Sequence, residues 1–449
     1  MKPLHPCHFL PFHEYSIVRF GLLLCTISIG FGSCSKNNYA DQSRLSDAPD
    51  VYLAGSTGDG IHPKATYWKN GKEVTLTDGT SYAEATAIIA SGADVYVAGY
   101  VYNGSYYVAK YWKNRTAFPL SDGLGASIAY AITLSGKDVY VAGYESNGEK
   151  TVAKYWKNGI EVSLTDGTHN AAAYAIVVED KDVYVAGEEY NGINYVAKYW
   201  KNGQPFPLTD GAAEAHAYSI AVSGPDIFVA GSAMNAMTGK MVAECWKNGY
   251  VFHLTDGSND ARANSVIVSE GSVYAGGAEF VDGNYFIAKY WLNGVPMAIA
   301  DSSNYSMAGG IAVWDEDVYL AGKKFKGESV PGHPRAQYWK NRSEITVQDT
   351  SRSGGWTNAV FLADNSSQGK KKKQMDYQGI YGELPDNSEA FTNVLSSVIR
   401  VFKSSPTNSI NHSANHSTTR TKSHYNKGTR SANTSTKQLK RSVVRSSQK

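Results

Sequence analysis

The chain has 449 residues, of which 43 are Lys or Arg and 41 are Asp or Glu, so its formal net charge is only +2. That near-neutral total hides a basic arm, because residues 365–449 carry fifteen basic and four acidic side chains and the rest of the chain is mildly acidic. Between residues 35 and 364 the only cysteine is Cys245, which excludes an internal disulfide in that part of the chain.

The first 34 residues are typical of an export signal. Basic residues precede an apolar run over 20–30, which is too short to span a membrane comfortably. Small residues then lead to Cys34, and the arrangement resembles the signal of a bacterial lipoprotein, whose cysteine carries the lipid. The Ser-Lys-Asn-Asn that follows is similar to lipoproteins of the Bacteroides group. This resemblance implies lipidation at Cys34, a polar tether over 35–49, and an outer-membrane location facing the periplasm or the cell surface. A plain secretory signal peptide or an uncleaved anchor is the alternative.

Seven copies of one repeat follow over residues 50–364. Their opening motif, DVYVAG or a close variant, recurs every 44 to 46 residues. A Tyr-Trp pair stands in the middle of six copies, and the fifth copy has Cys245-Trp246 there. A fixed period of this length is the mark of a propeller or a solenoid.

Each copy has room for four short strands. DVYVAG, VAKYW, a short segment before Thr-Asp-Gly, and a small-residue segment such as AYAIAVS all show β-type patterns, separated by Asn-Gly and Asp-Gly turns. No sustained helical period lies between them, which excludes helical and leucine-rich repeats. We therefore predict an all-β, seven-bladed β-propeller of four-stranded blades. An open seven-repeat solenoid is the alternative.

The order of the strands within a blade follows from crowding near the axis. AYAIAVS is predicted to be innermost because it is rich in small residues, followed by DVYVAG, VAKYW and the short segment at the rim. The ring should close when 357–363 pairs with 50–55, and such closure removes free sheet edges. This order resembles the NHL-type propellers, and the Tyr-Trp strand resembles bacterial extracellular repeats with an aromatic-Trp-x-Asn-Gly motif. Both resemblances cover only residues 50–364 and imply architecture alone.

The basic segment 365–449 has a composition typical of disorder, with few apolar residues and excess charge. One stretch, 387–403, places five apolar residues on one helical face and could form a short helix that docks on the propeller, a membrane or a partner. Few aromatic residues accompany the basic ones, so stacking on single-stranded nucleic acid is not indicated. An exported protein rarely meets nucleic acid, and we expect no nucleic-acid partner.

No catalytic motif, cofactor motif or metal-ligand cluster is recognisable, and we expect neither a cofactor nor a bound metal. The Thr-Asp-Gly aspartates are interpreted as turn residues, and Cys245 as a buried core residue. The regular Tyr-Trp positions are assigned to packing between blades. Function is expected where the copies differ.

Two kinds of loop should share one face: the hairpins after DVYVAG and the connections after Thr-Asp-Gly. The extra residues of two copies, 234–240 and 326–333, fall in the hairpins, where repeat proteins tend to place a working face. Exposed tyrosines there suit glycan or protein partners. A second set is expected in loops just before the inner strands, at the central mouth. The candidate ligand-binding residues are Tyr100, Tyr102, Tyr106, Tyr144, Tyr190, Glu84, His216, Arg262 and Trp356.

These observations favour a monomeric, envelope-anchored propeller that binds or scaffolds a glycan or an envelope protein through one loop face. The alternative is a polysaccharide hydrolase or lyase with paired carboxylates across the central funnel. A passive spacer without a site of its own is a third hypothesis.

Overall fold

The computed structural model describes residues 48–58, 61–281, 285–299, 305–325, 334–347 and 354–365. The predicted signal peptide with Cys34, most of the tether, the 326–333 insertion and the tail from residue 366 lie outside these residues. The described part contains 28 strands, arranged as seven four-stranded antiparallel sheets. This confirms the predicted seven-bladed propeller. We number the blades 1 to 7 in chain order.

In every blade the strands follow one another from the axis to the rim. The inner strands are β4 (Ala83–Ser91), β8 (Ser127–Ser135), β12 (Ala171–Glu179), β16 (Ala215–Ser223), β20 (Ala261–Ser269), β24 (Ser306–Trp314) and β28 (Gly354–Ala363). The second strands are β1 (Asp50–Gly58), β5 (Asp94–Tyr102), β9 (Asp138–Ser146), β13 (Asp182–Tyr190), β17 (Asp226–Asn235), β21 (Ser272–Val281) and β25 (Asp317–Lys324). The third strands are β2 (Lys64–Lys69), β6 (Tyr107–Lys113), β10 (Thr151–Lys157), β14 (Tyr195–Lys201), β18 (Lys240–Lys247), β22 (Tyr285–Leu292) and β26 (Arg335–Lys340). The outer strands are β3 (Lys72–Thr75), β7 (Thr116–Pro119), β11 (Ile160–Ser163), β15 (Gln204–Pro207), β19 (Tyr250–His253), β23 (Val295–Ala298) and β27 (Ser343–Thr346).

The ring closes through the last strand, as predicted. Each inner strand contacts the next one, and β28 contacts both β24 and β4, so the seven inner strands surround the axis. β28 pairs antiparallel with β1, from Asp50 opposite Ala363 to Gly58 opposite Gly354. Blade 1 is therefore built from the two ends of the propeller sequence, and β1 has a paired neighbour on both sides.

The glycine of each DVYVAG motif is required by a close backbone approach. In blade 2 the ladder between β4 and β5 is interrupted by a bulge at Thr86. A Cβ on Gly99 would lie 2.0 Å from the carbonyl oxygen of Glu84, so no other residue fits there. The same approach, at 1.8 to 2.1 Å, recurs at Gly55, Gly143, Gly187, Gly231, Gly277 and Gly322.

The repeated tryptophans hold the blades together. All seven, from Trp68 in β2 to Trp339 in β26, are at most 2% exposed. The preceding tyrosines are mostly half-buried, and Cys245, which replaces one of them, is buried. Burial of one indole contributes on the order of 4–6 kcal/mol as an upper estimate. These residues are packing elements, as predicted.

The aspartates of the Thr-Asp-Gly turns accept hydrogen bonds from nearby backbone amides. Asp78 Oδ1 accepts from the amide of Thr80 at 3.0 Å, and Asp166 Oδ1 accepts from Thr168 at 2.9 Å. Asp122, Asp210 and Asp256 do the same two residues on. Their predicted role as turn residues is confirmed. Asp301 and Asp349, which stand at this position in two degenerate copies, lie outside the described residues.

Candidate functional site

Two kinds of loop meet on one side of the ring, which we call the hairpin face. The side-chain amide of Asn103, between β5 and β6, donates to the carbonyl of Gly123, in the connection that follows β7, at 2.9 Å. The same contact joins Asn147 to Gly167 at 3.0 Å. The prediction that hairpins and Asp-Gly connections share a face is therefore confirmed. The 234–240 insertion extends the β17–β18 hairpin on this face, with Met237 at its exposed tip.

Four predicted site residues lie at equivalent positions near the axis on this face. Glu84, His216 and Arg262 are the second residues of β4, β16 and β20, and Trp356 is the third residue of β28. The expectation that they precede the inner strands in loops was wrong. Each inner strand continues beyond its bulge and pairs there with the end of the second strand, as Glu84 does with Tyr100. Ile128, Ala172 and Met307 occupy the same position in the other blades.

Glu84 is the centre of a buried hydrogen-bond cluster between blades 1 and 2. Its side chain is fully buried, and its carboxylate accepts from Tyr100 Oη at 2.6 Å, Asn358 Nδ2 at 2.8 Å and Trp356 Nε1 at 2.9 Å. Burial, followed by the charge of Glu84, holds the pKa of Tyr100 well above its usual range, so Tyr100 stays a donor. The structure thus joins three predicted residues, Glu84, Tyr100 and Trp356.

A second buried cluster joins blades 4 and 5 through Glu188. This carboxylate is 2% exposed and accepts from Tyr174 Oη at 2.8 Å and from His216 Nδ1 at 2.5 Å. His216 Nε2 faces the carboxylate of Glu214 at 3.5 Å. Burial alone would lower the pKa of His216, but the charge and hydrogen bond of Glu188, with the charge of Glu214, outweigh it and raise the pKa.

Arg262 occupies the corresponding position in blade 6, half-buried between aromatic groups. Its guanidinium lies 5.4 Å from the centre of the Phe286 ring, and Nη2 contacts Met307 Sδ at 3.5 Å. A cation over an aromatic face is a favourable arrangement where solvent is partly excluded. Burial lowers the pKa of this guanidinium.

Aromatic rings surround these polar groups in three clusters. In the blade 2 cluster, Tyr107 contacts Tyr82 and Tyr100 edge-on, at 5.6 and 5.2 Å between centroids. In the blade 4–5 cluster, Tyr195 lies 5.3 Å from Tyr190 and 6.1 Å from His216, which stacks on Tyr218 at 5.6 Å. The blade 6–7 cluster consists of Phe280, Phe286, Tyr305 and Phe325, with centroids 5.0 to 6.3 Å apart. Most of these rings are half-buried and so present part of their surface to solvent.

The predicted tyrosines divide into exposed and buried sets. Tyr106 is 44% exposed, and Tyr102 and Tyr190 are half-buried. The expectation of exposure was wrong for Tyr100 and Tyr144, which are 1% and 5% exposed. Both immediately follow the glycine of their motif and pair with inner-strand residues 84 and 128.

Several residues of the site were missed by sequence reasoning, above all Glu188, Tyr174, Glu214 and Asn358. A signal for Glu188 exists, because the residue that follows the motif glycine differs in most copies and is an acid only in blade 4. Its pairing with His216 joins two blades, which a single sequence does not reveal.

Other reactive or metal-binding groups among the described residues add little to the candidate site. Among the described residues no three His, Cys, Asp or Glu side chains come together in a way that could hold a metal ion. Burial raises the pKa of the Cys245 thiol to about 12, which disfavours the nucleophilic thiolate. Within the described ranges no helix is long and apolar enough to cross a membrane.

Comparison with known proteins shows similarity in structure. No protein-family model and no curated protein matches the sequence. The chain is similar to an acylaminoacyl peptidase from Pyrococcus horikoshii, with 11% identity, a TM-score of 0.44, and coverage of 67% of this chain and 50% of the peptidase. It is also similar to a puromycin-hydrolyzing peptidase from Mycobacterium tuberculosis, with 9% identity, a TM-score of 0.46, and coverage of 70% of this chain and 53% of the peptidase. A third similar structure is the β-propeller domain of the Trilobed protease from Pyrococcus furiosus, with 13% identity, a TM-score of 0.35, and coverage of 60% of this chain and 96% of that domain. The chain spans about half the length of the two peptidases, and at these identities the likeness extends no further than the fold.

Proposed function

We propose that the protein is a binding propeller that recognises a glycan at the axial mouth of its hairpin face. The observation that carries this proposal is the set of three aromatic clusters on that face, most of whose rings are half-buried, around the buried carboxylates of Glu84 and Glu188 and the guanidinium of Arg262. Ligand sites in proteins are typically lined by aromatic side chains with a few placed polar groups. Partly exposed rings offer flat, rigid surfaces against which the C–H faces of a sugar can pack, while tyrosine hydroxyls bond to its hydroxyl groups.

The hydrogen bonding of the axial acids favours binding over catalysis. A glycosidase needs two carboxyl groups about 5–10 Å apart that face the scissile bond. Glu84 accepts from Tyr100, Asn358 and Trp356, and Glu188 accepts from Tyr174 and His216. These contacts give both carboxylates the role of positioning the surrounding aromatic rings.

A glycan array probed with the full chain tests the proposal. We expect binding to one glycan class, and substitutions Tyr82→Ala and Phe286→Ala should weaken it by about 1–2 kcal/mol, or roughly 5- to 30-fold, because each removes one stacking surface. Tyr250→Ala is the matched control, since this ring is 77% exposed but lies on the outer strand β19.

Release of reducing sugar from the bound glycan should not exceed the blank, and a clear release would favour the hydrolase instead. Absence of any glycan binding, or equal binding by all three variants, would contradict the proposed site. Capture of an envelope protein through the same residues would point to a protein ligand.

We further propose that the propeller is held at the cell envelope by a lipid on Cys34, as the signal-like sequence before it implies. One acyl chain alone binds a membrane weakly, so stable anchoring requires several chains on this cysteine. Metabolic labelling of a bacterial expression host with an alkyne fatty acid should label the wild-type protein. Cys34→Ser should abolish the label while Cys25→Ser leaves it, and labelling of the Cys34→Ser protein would refute the assignment.

A further inference from the structure

The outer strands end each blade at the rim and expose backbone groups there. In blade 5 the amide of Leu254 donates to the carbonyl of Ala243 at 2.8 Å, and Cys245 and Lys247 pair with Phe252 and Tyr250. Antiparallel ladders alternate between bonded and non-bonded pairs. The amides and carbonyls of Val251 and His253 therefore face outward, and the equivalent positions face outward in every blade.

In six of the seven outer strands, at least one of these outward positions holds a residue that discourages pairing with another strand. Proline, which lacks the amide, stands there as Pro119, Pro205, Pro207 and Pro296 in blades 2, 4 and 6. An acidic side chain stands there as Glu73, Glu161 and Glu344 in blades 1, 3 and 7. Prolines and charges are the usual means by which proteins protect sheet edges from added strands.

Blade 5 has neither a proline nor an acidic side chain at its outward positions. Its outward positions are Val251 and His253, and the strand also exposes Tyr250 and Phe252 to 77% and 53%. All seven outer strands lie in the described part of the chain, so this contrast covers the whole rim. An apolar edge with free amides is a template for another strand.

We propose that β19 pairs antiparallel with β19 of a second copy of this chain. With a twofold axis at Phe252, Val251 of each copy lies opposite His253 of the other, and both residues exchange amide–carbonyl hydrogen bonds across the axis. The two Phe252 side chains meet at a non-bonded pair, where side chains approach closely. β19 carries no acidic side chain, whereas in the same register Glu73, Glu161 and Glu344 would each lie diagonally across from their own copy, within reach of like-charge repulsion.

The exposed area indicates a weak, concentration-dependent dimer. Two partly exposed aromatic side chains offer roughly 250 Å² per copy, or about 500 Å² in the pair. Stable interfaces bury about 1,200 Å² or more. The chain should therefore be monomeric at low micromolar concentration and associate at hundreds of micromolar.

Sedimentation velocity of the full chain from about 2 to 300 µM tests this proposal, which is independent of glycan binding. The weight-average sedimentation coefficient of the wild type should rise towards that of a dimer. Val251→Pro should stay at the monomer value, because it removes an outward amide as Pro205 and Pro296 do natively in blades 4 and 6. Ala117→Pro, at the equivalent exposed position of blade 2, is the matched control and should associate like the wild type.

Val251→Glu, which copies Glu161, should also remain monomeric and serves as a second variant if the proline substitution impairs folding. A wild-type coefficient that stays constant over the whole range would overturn the proposal. Association of both Val251 variants as strong as that of the wild type would overturn it as well.

Discussion

His216 is a buried histidine that lies between two carboxylates. It is 4% exposed, bonded to Glu188, and close to Glu214. The other ionisable groups around it are Tyr174, Tyr195, Tyr218 and Arg262. Burial raises the pKa of Tyr174 and of Tyr218 further above neutrality, and Arg262 remains charged. The pKa of His216 lies above the ordinary histidine value near 6.5, so this side chain loses its charge only as the pH rises beyond that value.

Glu188→Gln should destabilise the propeller in a pH-dependent way. The raised pKa of His216 contributes stability below the ordinary histidine value near 6.5, and this stability is lost as the pH rises through the raised value. Gln keeps the shape but not the charge. Denaturant unfolding should show that Glu188→Gln lowers the free energy of unfolding by about 1.5–3 kcal/mol at pH 6 and by less at pH 9.

The control for that experiment is Glu189→Gln, one residue along β13. Glu189 pairs with Lys198 at 2.6 Å in a partly exposed salt bridge, which is worth at most about 1 kcal/mol. Glu189→Gln should lower the free energy of unfolding by nearly the same amount at pH 6 and pH 9. An equal effect of Glu188→Gln at both pH values would show that His216 is not charged in this cluster.

At the scale of elements, the inner strands show what the sequence could and could not reveal. The closing role of β28 was predictable, because seven copies of a motif identify the strand order even where one copy is degenerate. The extension of these strands through Glu84 and His216 was not, because it depends on a bulge and a close approach at Gly99 and its equivalents. The meeting of Glu188 with His216 was equally hidden, since it joins separate blades.

The turn face opposite the hairpins is built from a repeated side-chain cluster. In blade 2, Lys113 pairs with Asp94 at 2.8 Å and lies 5.0 Å from the centre of the Tyr96 ring, while Asn114 bonds to Asp94 at 2.6 Å. The residues were visible in the sequence, but their contacts follow from strand pairing. Blade 6 departs from the pattern, with Ser272 and Leu292 in place of the ion pair. The cluster is exposed, so it adds little stability.

At the scale of the whole molecule, the positions that the copies share and the positions where they differ have separate roles. Shared tryptophans, glycines and aspartates build the ring, and their regularity accounts for the success of the fold prediction. The ring of axial positions carries Glu84, His216, Arg262 and Trp356 alongside apolar residues in the other blades. Sevenfold architecture with an asymmetric mouth is suited to recognition of one ligand at the axis.

Hydrogen–deuterium exchange of the full chain, with and without the glycan that binds best on the array, tests this central claim most directly. We predict added protection in the hairpins between β5 and β6 and between β13 and β14, and at the first residues of the inner strands. The Lys-Asn-Gly turns of the opposite face should exchange unchanged and serve as an internal control. Protection confined to that turn face or to the rim, with the hairpin face unaffected, would contradict the account.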